Sequence, residues 1–213
     1  CEGPHWYSLG TKWKLVTDTH YKPYPCCRWA HPSIDAASHL MLRHNISHQE
    51  IASVEIRTFH NATRLAGHTP VTADEFAYSI AFPVACMIVR GQVGTSELEF
   101  STLKDPNILR ISTATTLIED PHLTQISEGK RWAQVSILMQ NGTRYEAAPR
   151  TPRGDTDLPL SDAEISEKFH HFSDHILGST IARKIEELTT SFDELDATGV
   201  QSLLNLILTK PNV

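Results

Sequence analysis

Asn141-Gly142 lies between two alternating stretches, Ala133 to Gln140 and Thr143 to Ala147, and this leaves the chain little choice at that point. An Asn-Gly pair between two alternating stretches is the strongest short-range hairpin signal. The stretch is therefore read as two adjacent antiparallel strands. Ile51 to Phe59 also alternates, with Ala52, Val54, Ile56 and Thr58 on one side and Ser53, Glu55 and Arg57 on the other. That is a strand with one wet face. A Thr-rich, strand-like piece near Ala114 to Ile118 adds to the sheet.

Helices are expected around this sheet. One runs from about Pro32 to His44, where Ile34, Ala37, Leu40, Met41 and His44 recur at helical spacing. Thr72-x-x-Glu75 is a capping box, so a long helix should start there and end at Gly91, with Pro83 bending it. There is room for a short helix within 94–103, and Asp105-Pro106 is a further helix start. Trp6 to Val16 reads as a weak strand or irregular lead-in. Gly154 to Leu160 is polar and turn-rich. After it a second capping box, Ser161-x-x-Glu164, opens a remainder that stays helical to Ile207. The expected class is α+β: a small, mainly antiparallel sheet flanked by helices, followed by a helical tail. The domain division is expected at 1–154 and 155–213.

Composition narrows the function classes. Lys plus Arg number 19 against 25 Asp plus Glu, a net charge of −6, which argues against a nucleic-acid surface. No apolar run reaches the roughly 18 residues of a membrane span, and no signal-peptide pattern leads the chain. Four cysteines, two of them neighbours at Cys26-Cys27, make no disulfide framework and lack the Cys-x-x-Cys spacing of zinc or iron–sulfur sites. A cytoplasmic protein is expected, or a mitochondrial one in a eukaryote. The sequons at Asn45, Asn61 and Asn141 are read as chance matches. His171 and His175 share a helix face but have no third ligand. No metal and no cofactor are expected. The start at Cys-Glu-Gly-Pro, without Met, suits a processed, cleaved or truncated product.

The chemistry is concentrated in Tyr21 to Ala37, YKPYPCCRWAHPSIDAA. Prolines fix φ and disfavour helix at the residue before them, so Lys22-Pro23 and Tyr24-Pro25 should be extended and rigid. Pro32 suits a first helical turn, where its missing N–H costs nothing. Lys22, Arg28 and His31 then meet at a loop-to-helix junction, where cations and spare helix N–H groups suit a carboxylate.

The segment resembles the Lys-x-(Tyr/Phe)-Pro-(Ala/Cys)…His-x-x-x-(Asp/Glu)-Ala signature of the MmgE/PrpD family. Ala77 to Gly91 (AYSIAFPVACMIVRG) resembles that family's Ser-Ile-x-Tyr-x-Val-Ala-x-x-Leu-x-x-Gly helix. Pro152-Arg153-Gly154-Asp155, followed by Pro159-Leu160-Ser161, resembles its Pro-Arg-Gly passage into closing helices. The family contains 2-methylcitrate dehydratases, cis-aconitate decarboxylases and an iminodisuccinate epimerase. The resemblance covers the second, lid-like domain and lacks the larger N-terminal helical one.

The resemblance implies the substrate-closing half of a cofactor-independent lyase, dehydratase-like, that takes a proton beside a carboxyl group of a small di- or tricarboxylic acid. The alternatives are an isomerase or epimerase of the same family, or a non-catalytic binding or dimerisation module. It further implies a homodimer and a partner region, the N-terminal helical domain or a chain carrying it. It makes Lys22 the cation that neutralises a substrate carboxylate, the alternative being a solvent-exposed lysine. Cys27 falls where the decarboxylase branch has a histidine, and it is either a substrate contact or a packed, inert thiol. His31 is the second catalytic candidate, or a structural cap. Arg28 is expected to fork onto a carboxylate, or to form a surface ion pair. Phe82 lines the site where the family usually has tyrosine, keeping the ring and losing the proton; Tyr78, one turn earlier, is a substitute.

Overall fold

In the computed structural model, residues 6–8, 10–13, 18–65 and 67–208 are described. The chain forms two compact units, Cys1–Pro159 and Leu160–Val213.

The first unit is built on a four-stranded sheet of order β2-β1-β3-β4, with β1 Ile51–Thr58, β2 Thr115–Glu119, β3 Ala133–Met139 and β4 Arg144–Glu146. β1 pairs antiparallel with β3, β3 antiparallel with β4, and β1 parallel with β2. The sheet is thus mainly antiparallel, and the fold is α+β as expected. Val54, Ile56 and Thr58 of β1 and Ala133, Val135, Ile137 and Met139 of β3 are buried. Ala52, expected on that inner side, is exposed instead. A register shift between Ile51 and Ser53 is the cause: an extra residue in the strand resets the alternation, so Ile51 and Val54 both turn inward.

The helices in chain order are α1 His31–His44, α2 Ala73–Ala77, α3 Ala81–Arg90, the single turn α4 Phe100–Leu103, α5 Pro106–Thr113 and α6 Pro121–Ile126. α1 packs on β3 and on α3, and α3 packs on α5, so one sheet face is covered by a helical layer. Asp105 and Asp120 each cap the helix that follows, accepting from the two N–H groups after the proline. The Asp120 cap repeats the Asp-Pro signal of Asp105 and marks a helix that had no expectation attached to it.

The helix expected from Thr72 to Gly91 is two helices. Thr72 accepts from the Glu75 N–H as a cap, but α2 ends at Ala77, and Ser79 Oγ accepts the Phe82 N–H at 3.1 Å to start α3. Pro83 stands in the first turn of α3, where it needs no hydrogen-bond partner, and so bends nothing. Gly91 ends α3 with φ of 74°, a left-handed conformation that glycine adopts without a Cβ penalty. In the lead-in, Trp6–Ser8 is a 3₁₀ turn, not a strand; Leu9 and 14–17 lie outside the described residues.

The second unit contains α7 Asp162–Leu177, α8 Ser179–Thr190 and α9 Ala197–Leu208. Ser161 and Glu164 form the expected capping box. α7 packs on α8 and α8 on α9. Ala182, Ile185 and Leu203 are buried, whereas Phe192, Ile207 and Leu208 are more than half exposed. Among the described residues no helix is long and apolar enough to cross a membrane.

Candidate functional site

The proline-braced loop is drawn into the first unit by two buried carboxylates. Asp35, in the second turn of α1, has a side chain only 5% exposed. It accepts from the Tyr24 hydroxyl at 2.6 Å, from Arg153 Nε at 3.0 Å and from the Arg153 backbone N–H at 3.2 Å. Arg153 Nη2 also donates to the Tyr24 hydroxyl oxygen at 3.3 Å, closing a triangle. Burial, and then the neighbouring Asp35 charge, push the Tyr24 hydroxyl well above its ordinary value. That phenol therefore stays protonated as a donor.

Asp155 is the second carboxylate, with 4% of its side chain exposed. Arg28 forks onto it, Nε to Oδ1 at 2.8 Å and Nη2 to Oδ2, and His20 Nδ1 stands 3.1 Å from Oδ1. Next to it, the Gly154 carbonyl accepts the Tyr21 N–H at 2.9 Å, and the Gly154 N–H donates to the Leu158 carbonyl at 2.8 Å. Gly154 is buried with φ of 87°, so a Cβ there would be strained. The Cys27 N–H donates to the Ala77 carbonyl at 2.7 Å. Three stretches far apart in sequence, 21–37, 77–91 and 152–155, thus converge on one loop.

The five expected site residues fare differently. Lys22 is exposed, and its ammonium donates to the Cys26 carbonyl at 3.2 Å. Cys27 is half-buried beside Cys26, whose thiol burial pushes up to about 12. Arg28 lies in the same loop, but its fork is already filled by Asp155, so the expected fork onto a substrate carboxylate is replaced by an internal pair. Phe82 is fully enclosed, edge-on to Phe76 at 5.7 Å between centroids, and offers no surface to a ligand. Tyr78 is 65% exposed and lies beyond the end of α2, so it does not share a helix face with Phe82.

His31 is 1% exposed. Its Nε2 lies 3.3 Å from the Cys26 carbonyl oxygen and its ring meets Tyr24 edge-on at 5.2 Å. Burial lowers its pKa to about 4, so the ring is neutral at ordinary pH. In this chain the ring is enclosed by its own loop and helix. The spare N–H groups expected at the start of α1 are also absent. Ala30, His31 and Ser33 donate to the carbonyls of Cys27, Arg28 and Ala30, and Ile34 to Ala30 as well.

Sequence reasoning missed Asp35, Asp155, Tyr24 and His20 as members of this cluster. The available signal was Pro152-Arg153-Gly154-Asp155 itself, a short polar motif offering an unmatched cation and anion next to a glycine. A surface depression of about 330 Å3, lined by Phe59, His60, Asn61, Thr124, Gln125, Ser127 and Glu128, contains none of the cluster residues. Among the described residues no group of three or more His, Cys, Asp or Glu is placed to hold a metal ion. His171 and His175 are exposed; it is His170 that meets two carboxylates, Asp174 and Glu186.

A model of the MmgE/PrpD C-terminal domain matches residues 24–194. The chain belongs to that family. No curated protein matches it. The match to the MmgE/PrpD C-terminal domain starts two residues after Lys22 and takes in Cys27, Arg28, His31, Phe82 and both buried carboxylates. MmgE/PrpD proteins are in general enzymes, and the convergence of the three stretches gives this domain one ionically braced loop on which such chemistry can be arranged.

Proposed function

We propose that this MmgE/PrpD domain is the substrate-closing half of a cofactor-independent, dehydratase-like lyase acting on small di- or tricarboxylic acids. Lys22 neutralises a substrate carboxylate and stabilises the charge that builds on it as the neighbouring proton leaves. Cys27, half-buried in the same loop, is a further substrate contact, and Arg28 braces that loop from within through Asp155. A companion helical domain, on the same polypeptide or another, supplies the general base and covers the exposed apolar residues of the second unit. The working enzyme is a homodimer in the cytoplasm, or in mitochondria of a eukaryote.

The observation that carries this reading is the position of Lys22: a cation at the surface of a loop that is fixed by buried ion pairs, in a chain of this family. Proton abstraction next to a carboxylate needs a positive charge held still where negative charge develops, and a braced loop provides it without reorganisation. An isomerase or epimerase uses the same first step and is the alternative reaction. A non-catalytic binding or dimerisation module is the second reading, and Phe82 favours it, because an enclosed ring without a hydroxyl moves no proton.

The test is reconstitution. The chain is mixed with one carrying the helical domain and assayed with 2-methylcitrate, cis-aconitate and iminodisuccinate. Turnover should appear only in the mixture, and Lys22→Ala should lower kcat/KM roughly 100-fold, about 2.7 kcal/mol of transition-state stabilisation. Full dehydratase activity from the chain alone, or an active mixture indifferent to Lys22→Ala, would overturn the proposal. An inert mixture on all three acids favours the module.

A further inference from the structure

We infer that His31 is a positioning residue for Lys22: its Nε2–H donates to the Cys26 carbonyl oxygen and fixes the acceptor on which the Lys22 ammonium rests. A role in the reaction rests on Lys22 facing substrate, as proposed above; the seat itself does not.

The peptide group between Cys26 and Cys27 is held from both ends. Its N–H, that of Cys27, donates to the Ala77 carbonyl at 2.7 Å. Its carbonyl oxygen lies 3.3 Å from His31 Nε2 and accepts from Lys22 Nζ at 3.2 Å. A carbonyl oxygen has two lone pairs, enough for both contacts, and it only accepts. The ring nitrogen facing it must therefore be protonated, which sets the neutral Nε2–H tautomer. Pro25 stiffens the chain on one side and the Ala30 N–H bond to the Cys27 carbonyl tightens the other. The plane of that peptide, and with it the direction in which the ammonium is drawn, is pinned.

Burial leaves His31 little else to do. At 1% exposure it reaches no ligand, and a docking domain makes it no more accessible. The groups around it are Tyr24, Cys26, Lys22 and Arg28 from the loop and Asp35 from its own helix. Its lowered pKa agrees with a ring that stays neutral and holds one tautomer.

Two measurements on the whole chain test the inference, and neither needs turnover. In the first, imidazole nitrogen and carbon shifts of the labelled wild-type protein are followed from about pH 8 to about pH 5. One Nε2–H tautomer without titration is expected; an Nδ1–H tautomer, or a midpoint near the ordinary value of about 6.5, overturns the inference. In the second, the rate at which an amine-acylating reagent modifies Lys22 is measured by peptide mapping against Lys184 as the internal standard. His31→Phe, which removes the donor, should raise the relative rate roughly threefold or more, and His31→Gln, whose amide supplies an N–H in place of Nε2–H, should restore it. Equal rates in all three proteins, or equal changes in the two variants, overturn it. Adding citrate separates this inference from the proposed function. Protection of Lys22 in the wild type supports both, whereas expected tautomer and rates without citrate protection support the seat and count against the carboxylate reading.

Discussion

Asp35→Ala removes the acceptor at the centre of the Tyr24–Asp35–Arg153 triangle. The carboxylate is 5% exposed and takes three hydrogen bonds, two from Arg153 and one from Tyr24. Removing one partner of a buried ion pair costs about 3–5 kcal/mol, because the other charge is left without compensation. Here the Arg153 side chain is 40% exposed, so water recovers part of its solvation. The expected loss is therefore smaller, about 2–3 kcal/mol. Tyr24 accounts for a share of this, since its hydroxyl keeps only the contact with Arg153 Nη2. All four tryptophans lie at or before Trp132, inside the first unit, so urea unfolding followed by tryptophan fluorescence reports that unit alone. Asp35→Asn keeps the shape and one acceptor and should lose about half as much. Combined with Arg153→Met in a double-mutant cycle, Asp35→Ala should give a coupling of about 1–2 kcal/mol. A loss below about 0.5 kcal/mol for Asp35→Ala, or a coupling near zero, would refute the view that this carboxylate ties the loop to α1.

Three further outcomes follow from the same geometry. Phe82→Tyr, which restores the ring type usual in the family, puts a hydroxyl into a fully enclosed site and should cost about 1–3 kcal/mol in urea unfolding without creating activity. His31 has a folded-state pKa of about 4 against an ordinary 6.5, so the unfolded chain takes up its proton first as pH falls. The stability it contributes is complete above about pH 6.5 and drains by about 3 kcal/mol on the way to pH 4; unfolding curves of His31→Gln should lack that part of the slope. His170 donates through Nδ1 to Asp174 at 2.7 Å and through Nε2 to Glu186 at 3.0 Å, and these bonds raise its pKa. Its contribution is present below the ordinary histidine value of about 6.5 and is lost as pH rises through the raised one, so the stability gap between wild type and His170→Gln should shrink as pH rises above about 6.5.

Local signals carried far in this chain. The caps at Thr72, Asp105 and Ser161 and the alternation of β1 and β3 are written in neighbouring residues, and each element stands where those residues put it. The bulge at Ala52 was hidden because alternation looks unbroken when read from Val54 onward. The break at 78–80 was hidden because Thr72 and Gly91 look like the two ends of one helix, and a serine that caps from inside an apolar run resembles any small core residue. The parallel pairing of β1 with β2 is a long-range choice with no local mark. At the site, the cations of the loop were legible and their anions were not. Asp35 read as part of an amphipathic helix and Asp155 as part of a turn, and only the packing of the first unit makes them partners of Tyr24, Arg28 and Arg153.

Arg28 and Asp155 stand 127 residues apart, and this separation sets an order of events during synthesis. At roughly 5–20 residues per second, the ribosome delivers Asp155 roughly 6–25 s after Arg28 has been made. Throughout that interval the loop that carries Lys22 has neither its anion nor the Gly154 carbonyl to hold it. The earliest-made part of the site is thus the last to be finished, and a nascent chain halted before residue 150 would hold its loop only by the local bonds from Tyr24 to Asp35 and from Cys27 to the Ala77 carbonyl.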